Sequence, residues 1–256
     1  MDKNNGSIEK PFWQGEWQLI KFEDLAVPLF VDKLASSDFY SSFYTKLFSI
    51  YSGYESLAPD WLSNKTETAK AIGDEVNKDA SVLSYGCGLG FVEKQLIRYR
   101  PDLSVTAFDF ADTAGQWIKR DLNDITYTQT VEDETKYDVI YLSQVLYALS
   151  FSDSVDLLKS LTNHLEKDGK IILVNTSITE EENGENQTKE SSISKLTTQL
   201  KYFLRLIYHF IFPIQRVQFW GWRRNNSRYI EMAIQAGLKP TKIFSKANQS
   251  FIILSS

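Results

Sequence analysis

The chain has 256 residues, of which 43% are hydrophobic, 24% charged and 14% aromatic, a composition that excludes disorder and low-complexity scaffolds. A single cysteine excludes an internal disulfide and points to a reducing compartment, and a formal net charge of −5 argues against broad affinity for nucleic acid. Both averages hide uneven distributions. Of the 35 Phe, Tyr and Trp residues, 22 fall in residues 1–61 and 185–230, and Lys195 to Arg228 carries seven Lys or Arg with no Asp or Glu. Met1 to Gln14 has no apolar run behind a basic cluster, so no signal peptide is expected and the cytoplasm is the expected location. The most apolar stretch, Leu196 to Trp222, is interrupted by Lys201, Arg205, His209 and Arg216, which excludes a spanning helix.

In chain order, the first sixty residues read as helices. Tyr40, Phe43, Tyr44, Leu47, Phe48 and Tyr51 recur at helical spacing, and a further helix is expected from Asn64, as N-cap, to Val76. From Ser81 onward short apolar strands alternate with helical stretches. Strands are expected at 81–85, 104–109, 125–129, 137–142 and 170–175, with helices at 91–99, 113–120 and 153–165. Such alternation implies right-handed crossovers and a parallel sheet covered on both faces. A polar, acidic loop at 180–190 follows, then an amphipathic lid helix marked by Leu196, Leu200, Phe203, Leu204, Ile207 and Ile211 and stopped by Pro213. A helix over Ser227 to Ala236 leads to two last strands at 238–244 and 250–254. Their link is too short for a crossover, so the final strand should run antiparallel.

The most informative peptide is Val82-Leu83-Ser84-Tyr85-Gly86-Cys87-Gly88-Leu89-Gly90, at a strand-to-helix junction where open α/β sheets bind ligands. Glycines at 86, 88 and 90 let a ligand lie against backbone, and Asp109, at the tip of the next strand, is placed to accept hydrogen bonds from ribose hydroxyls. The spacing is G-x-G-x-G, with Phe91 where the third glycine of a dinucleotide loop would stand. Hydride chemistry on NAD is therefore the weaker reading of an adenosine-type site.

Together with Asp109, the segment Tyr137 to Leu146 and the run Leu165 to Ile172, this loop resembles the class I S-adenosylmethionine-dependent methyltransferases. The resemblance implies a Rossmann-like three-layer sandwich: a seven-stranded, mostly parallel sheet with an antiparallel last strand. It also implies S-adenosylmethionine as cofactor. Residues 1–78 would form an N-terminal helical cap, 79–256 the methyltransferase domain, and about 178–226 a helical, aromatic and basic insertion after the fifth strand. By position, Tyr85, Gly86, Cys87, Gly88 and Gly90 would border the methionine and ribose. Asp109 would hold the ribose hydroxyls, Phe110 and Glu132 would neighbour the adenine, and Ser143 and Gln144 would face the methyl group. The sequence departs from the family at Ser84, where an acid is common. Losing that acid removes a charged hydrogen bond worth about 1.5–3 kcal/mol, so weaker cofactor binding or a compensating acid elsewhere is expected. A non-catalytic relative of the same fold is the alternative.

On the acceptor side, Tyr147, Trp220, Trp222, Arg223 and Arg224 are candidates to receive a small or medium-sized acceptor with an apolar or sugar surface and an anionic group, methylated on oxygen or nitrogen. A sugar or lipid-linked glycan fits that description. Segment 195–228 is also a candidate for peripheral contact with an anionic membrane. Neither a metal site nor a nucleic-acid partner is expected. Because an activated methyl donor chiefly needs alignment, no catalytic residue is required; His209 and Tyr147 are the weak candidates for one. Cys87 reads as a small loop residue rather than a nucleophile, and His164 as a surface residue of the helix before the fifth strand.

Overall fold

A seven-stranded sheet organises the protein, seen in a computed structural model that describes residues 6–111, 113–132, 134–176, 204, 207 and 216–256. Its strands are β4 (Ser81–Tyr85), β5 (Ser104–Phe108), β6 (Ile125–Thr128), β7 (Tyr137–Ser143), β8 (Leu165–Asn175), β10 (Lys239–Lys246) and β11 (Gln249–Ser255), in the spatial order β10-β11-β8-β7-β4-β5-β6. Strands β4 to β8 pair in parallel, and β11 runs antiparallel to both β8 and β10. The expected antiparallel last strand is therefore present. The turn before it is only Ala247-Asn248, both at positive φ (51° and 58°), the conformation of a two-residue hairpin.

Helices cover both faces. The layer of α5 (Phe151–Thr162) and α6 (Asn226–Gln235) packs Leu158, Leu161 and Met232 against Ile140, Leu142 and Ile252. On the other face α2 (Pro59–Asp74) and α3 (Phe91–Tyr99) pack Ile72 and Leu96 against Val82, Val105 and Tyr141. The short α4 (Gln116–Asp121) follows β5. With both faces buried, strands such as β7 show a nearly continuous apolar run rather than alternation.

The N-terminal region corrects the helical expectation. Helix α1 (Ser37–Ile50) exists, capped by the Ser36 hydroxyl, which accepts from Phe39 N at 3.2 Å. Residues before it instead form β1 (Glu9–Gln14), the two-residue strands β2 (Glu16–Trp17) and β3 (Ile20–Lys21), and a 3-10 turn at Phe22–Asp24. Helix α2 begins at Pro59, a favoured first helical residue, rather than at Asn64. Asn64 is used otherwise: its amide donates to Ala247 O at 2.5 Å and its carbonyl accepts from Gln249 at 2.9 Å, latching α2 to the final hairpin.

Strand β1 pairs antiparallel with β9 (Gln218–Arg224), which lies inside the segment expected to be a helical insertion. Buried Gln218 fixes the junction, accepting from Phe30 N at 3.0 Å and donating to Lys33 O at 2.7 Å. Trp220 stacks on Phe22 at 4.9 Å between ring centroids and packs edge-on against Phe39, so the two aromatic-rich ends of the sequence share one core. Of the expected lid helix only Leu204 and Ile207 are described; both are helical and exposed. His164 lies after α5, in the turn that leads to β8, half-buried with Nδ1 3.2 Å from Thr135 O.

Candidate active site

Strand β4 lies between β5 and β7, where the chain's path through the sheet reverses direction, and its carboxyl end opens into the glycine loop. Gly86 N and Cys87 N both donate to Phe108 O, at 2.8 and 2.9 Å, which ties the loop to β5. Gly90 is the N-cap of α3 with φ +79°, and a Cβ there would sit 2.2 Å from Ile118. Gly86, at φ +78°, would bring a Cβ to 2.6 Å from Val145. Only glycine satisfies both backbone and space at these positions. Asp109, 5% exposed, closes the arrangement: Oδ2 accepts from Gly88 N at 2.8 Å and Oδ1 from Ala111 N at 3.0 Å. Burial raises its pKa, and those backbone N–H groups oppose the rise.

The loop floors a cavity of about 390 Å³. Gly86, Cys87 and Gly88 form its base, and Ser143 and Gln144 meet it at the end of β7. Tyr40, Phe43 and Tyr44 of α1, Trp61 and Lys65 of α2, and Tyr147 form walls. Phe12, Trp17, Trp220, Trp222 and Arg223 come from the N-terminal strands and β9. Gln144 is held at φ +59°, an uncommon conformation for a residue with a side chain, and its amide donates to Thr176 at 3.1 Å. The Ser143 hydroxyl is buried without a partner among the described residues. Gly221, at φ +140°, lets β9 pass so close to Tyr147 that a Cβ would fall 2.1 Å from its carbonyl oxygen.

The phenols of Tyr40, Tyr44 and Tyr147 are neutral. Burial raises the pKa of Tyr40 and of Tyr44, and pushes Tyr147 up to about 12, partly offset by hydrogen bonds with Tyr40 and Trp220. Burial likewise raises the Cys87 thiol, which argues against a thiolate nucleophile.

The predicted residues divide clearly. Gly86, Cys87, Gly88, Ser143, Gln144, Tyr147, Trp220, Trp222 and Arg223 line the cavity. Gly90 and Asp109 are outside the lining: Gly90 caps α3, and Asp109 accepts from the lining residue Gly88. Tyr85 instead packs on Phe108 at 4.6 Å, and Phe110, 53% exposed, presents itself edge-on to Tyr40 at 5.6 Å. Glu132 is an exposed loop residue outside the lining. Arg224 must be withdrawn as an acceptor ligand. It is fully buried, paired with Glu9 at 2.5 Å, and donates to Leu146 O and Leu149 O at 2.6 and 2.8 Å. His209 lies outside the described residues, as does most of the segment expected to touch a membrane; no described helix is long and apolar enough to cross one.

Two cavity residues escaped the sequence reading. Glu93, in the first turn of α3 and 1% exposed, accepts at Oε1 from Ser84 Oγ and Tyr141 OH, each at 2.5 Å, while Oε2 has no partner among the described residues. Lys65 is half-buried with its ammonium 5.9 Å from the Trp61 ring centroid, and burial lowers its pKa to about 8. The signal for Glu93 was present: it stands three residues before Leu96 on the buried face of α3, and Ser84 lacks the usual acid.

A family profile described as a methyltransferase domain matches residues 60–232, more than half of the chain. Over 106 residues the chain is 31% identical to the malonyl-[acyl-carrier protein] O-methyltransferase of Bacillus anthracis, covering 39% of this chain and 38% of that protein. Among solved structures, an O-methyltransferase described as putative from Nostoc punctiforme superposes with a TM-score of 0.60 at 13% identity, over 90% of this chain and 64% of its own. Human N-acetylserotonin methyltransferase in complex with S-adenosylmethionine gives 0.54 at 16% identity, over 86% and 56%. An O-methyltransferase of neocarzinostatin biosynthesis, in complex with S-adenosylmethionine and 2-hydroxy-5-methyl naphthoic acid, gives 0.56 at 15% identity, over 86% and 58%. The chain thus spans less than two thirds of the length of these relatives, and at such low identities the structural likeness speaks for the fold. With the sheet order, the glycine loop and the matched profile in agreement, the chain belongs to the methyltransferase-domain family, on the class I fold that its motifs resemble.

Proposed function

We propose that this protein uses S-adenosylmethionine to methylate an oxygen of a small acceptor that has an apolar face and an anionic group. The observation that carries this reading is a single cavity with a glycine-lined floor and an aromatic roof. The residues present fit the cofactor. Gly86 and Gly88 line the cavity and present bare backbone to a ligand. Asp109 retains unused lone pairs for ribose hydroxyls beside its two backbone bonds. Phe110, exposed beside Tyr40, offers a face to the adenine, and Ser143 and Gln144 stand where the methyl group would be delivered.

The cofactor supplies a methyl group already activated on a sulfonium. The protein's own contribution is to orient the acceptor and keep water out. Tyr40, Phe43, Trp61, Tyr147, Trp220 and Trp222 provide flat apolar walls, and Arg223 adds positive charge at the cavity's edge. Since the tyrosines are neutral, an acceptor oxygen that is already ionised, such as a carboxylate or an acidic phenol, suits the site best. That chemistry also supports O- rather than N-methylation, as do the names of several relatives. A sugar or glycan remains within the class only where it carries such an acid.

Calorimetry with S-adenosylmethionine, S-adenosylhomocysteine and NAD tests the reading, followed by methyl transfer to a panel of small aromatic and aliphatic acids. Binding of the first two and turnover of an acid support it. No binding at millimolar ligand would leave a scaffold protein, and selective NAD binding would replace it with an oxidoreductase.

A further inference from the structure

The acid absent from β4 is matched by one that reaches the same place from α3. Glu93 lines the cavity although it is almost entirely buried, and two hydroxyl donors hold one of its oxygens. Ser84 supplies one of those donors. An Asp at position 84 would press a second carboxylate against Glu93, so a small hydroxyl residue at 84 and an acid at 93 belong together. The other oxygen, Oε2, has no partner among the described residues, and a buried acceptor left unpaired is costly. Lys65 lines the same cavity; burial raises the Glu93 pKa, and the bonds from Ser84 and Tyr141 and the charge of Lys65 oppose that rise.

We propose that Glu93 and Lys65 recognise the amino-acid end of S-adenosylmethionine, Glu93 receiving its α-ammonium and Lys65 its α-carboxylate. This rests on the cofactor reading above and deepens it. The pair is of opposite sign, as a zwitterion requires, and it is tied to the glycine loop's flanks: Glu93 bonds Ser84 just before the loop, and Lys65 lies over Trp61, whose ring packs on Phe91 just after it, so the pair addresses the cofactor. Glu93 is fixed by Ser84 and Tyr141 before any ligand arrives, which keeps the ordering cost of binding low.

The test compares two ligands by calorimetry. S-adenosylhomocysteine carries both amino-acid charges, whereas 5′-methylthioadenosine keeps the adenosine and sulfur and lacks the amino-acid group. Glu93→Gln, which preserves shape and can still accept from Ser84 and Tyr141, should weaken S-adenosylhomocysteine about 10- to 100-fold, the loss expected for one charged hydrogen bond. Binding of 5′-methylthioadenosine should stay unchanged. Lys65→Met should show the same selectivity. Returning the acid to the strand, in Ser84→Asp with Glu93→Ser, should recover most of the lost affinity. Equal weakening of both ligands by Glu93→Gln would reveal a merely structural carboxylate and overturn the proposal, as would unchanged S-adenosylhomocysteine affinity in either single variant. Wild-type protein that binds neither ligand would refute the cofactor reading itself, an outcome distinct from these.

Discussion

Replacing Arg224 with Met is the sharpest test of how the roof is held. Its guanidinium is fully buried, bonds Glu9 at 2.5 Å, and satisfies the carbonyls of Leu146 and Leu149 at 2.6 and 2.8 Å. Three acceptors on two different elements thus depend on one side chain that joins β9 to the turn after β7. Methionine fills much of the volume but donates nothing: Leu149 O loses its arginine donor, Leu146 O keeps only the N–H of Leu149, and Glu9 keeps Arg228 at 3.7 Å. Removing one member of a buried pair costs about 3–5 kcal/mol. Glu9 keeps 24% of its side-chain surface and so recovers some hydration, which favours the lower end. For a chain of this size, about 3 kcal/mol corresponds to roughly 6–12 °C in melting temperature. Urea denaturation followed by tryptophan fluorescence measures the loss, and Arg223→Ala serves as the matched control. Arg223 is exposed at the cavity's edge, so its removal should change stability by less than about 0.5 kcal/mol while weakening use of an anionic acceptor. Were Arg224→Met to lose less than about 1 kcal/mol, or Arg223→Ala to lose more, the assignment of one arginine to structure and the other to the acceptor would be wrong.

Gly90→Ala should cost about 2–4 kcal/mol, because it combines a strained positive φ with a Cβ 2.2 Å from Ile118, and should abolish measurable S-adenosylhomocysteine binding; unchanged affinity would show that the loop does not cradle the cofactor. Glu93→Gln should stabilise the ligand-free protein at neutral pH. Burial raises the Glu93 pKa, against its bonds from Ser84 and Tyr141 and the charge of Lys65, so the folded state keeps a proton that the unfolded chain releases. Its stabilising contribution is complete below the ordinary carboxylate value of 4.5 and is lost as pH rises through the raised folded value. Melting curves of wild type and variant between pH 4 and 8 should therefore diverge with rising pH, and parallel curves would contradict a buried ionisable Glu93. Tyr147→Phe should lower turnover less than about tenfold and leave the pH profile of kcat unchanged below pH 9, since a phenol with a pKa of about 12 is not a base there; a profile that moved would make Tyr147 catalytic.

The doubly wound part of the fold was legible because its signals are local. Apolar runs of strand length, helices of period 3.6 and a link too short for a crossover occur within a few residues of one another, and they placed β4 to β7, β10, β11 and the second half of β8, whose polar first half, Leu165 to Gly169, has no such run. The pairing of β1 with β9 has no such signal. Glu9 meets Arg224 across more than two hundred residues of chain, and neither strand alone shows clean alternation, because both carry aromatics on successive positions and their register shifts at Phe12. The same blindness grouped Arg223 with Arg224: in a helical insertion both could face one ligand, but neighbours in a strand point to opposite sides. Glu93 was half legible. The unusual Ser84 called for an acid elsewhere, and only the packing of α3 on β4 and β7 identifies which one.

Under the proposed reading, the cavity separates two electrostatic tasks. Its cofactor end holds an acid and a base, buried Glu93 and half-buried Lys65, while Asp109 grips the loop. The acceptor end is walled by rings and neutral phenols, and its arginine, exposed, lies over the Phe12 ring. Transfer from a cationic donor to an anionic oxygen cancels charge as the new bond forms. Water stabilises the separated ions more than the charge-cancelled transition state, so excluding it favours the reaction. A strong base or a cation placed at the reacting oxygen would be redundant or would hold that oxygen back. An edge arginine can draw in an acid by its charge and leave the reacting atom to the dry aromatic interior. The uneven sequence, with two aromatic segments that pack together over a glycine loop, supplies that environment from segments that meet only in the folded chain.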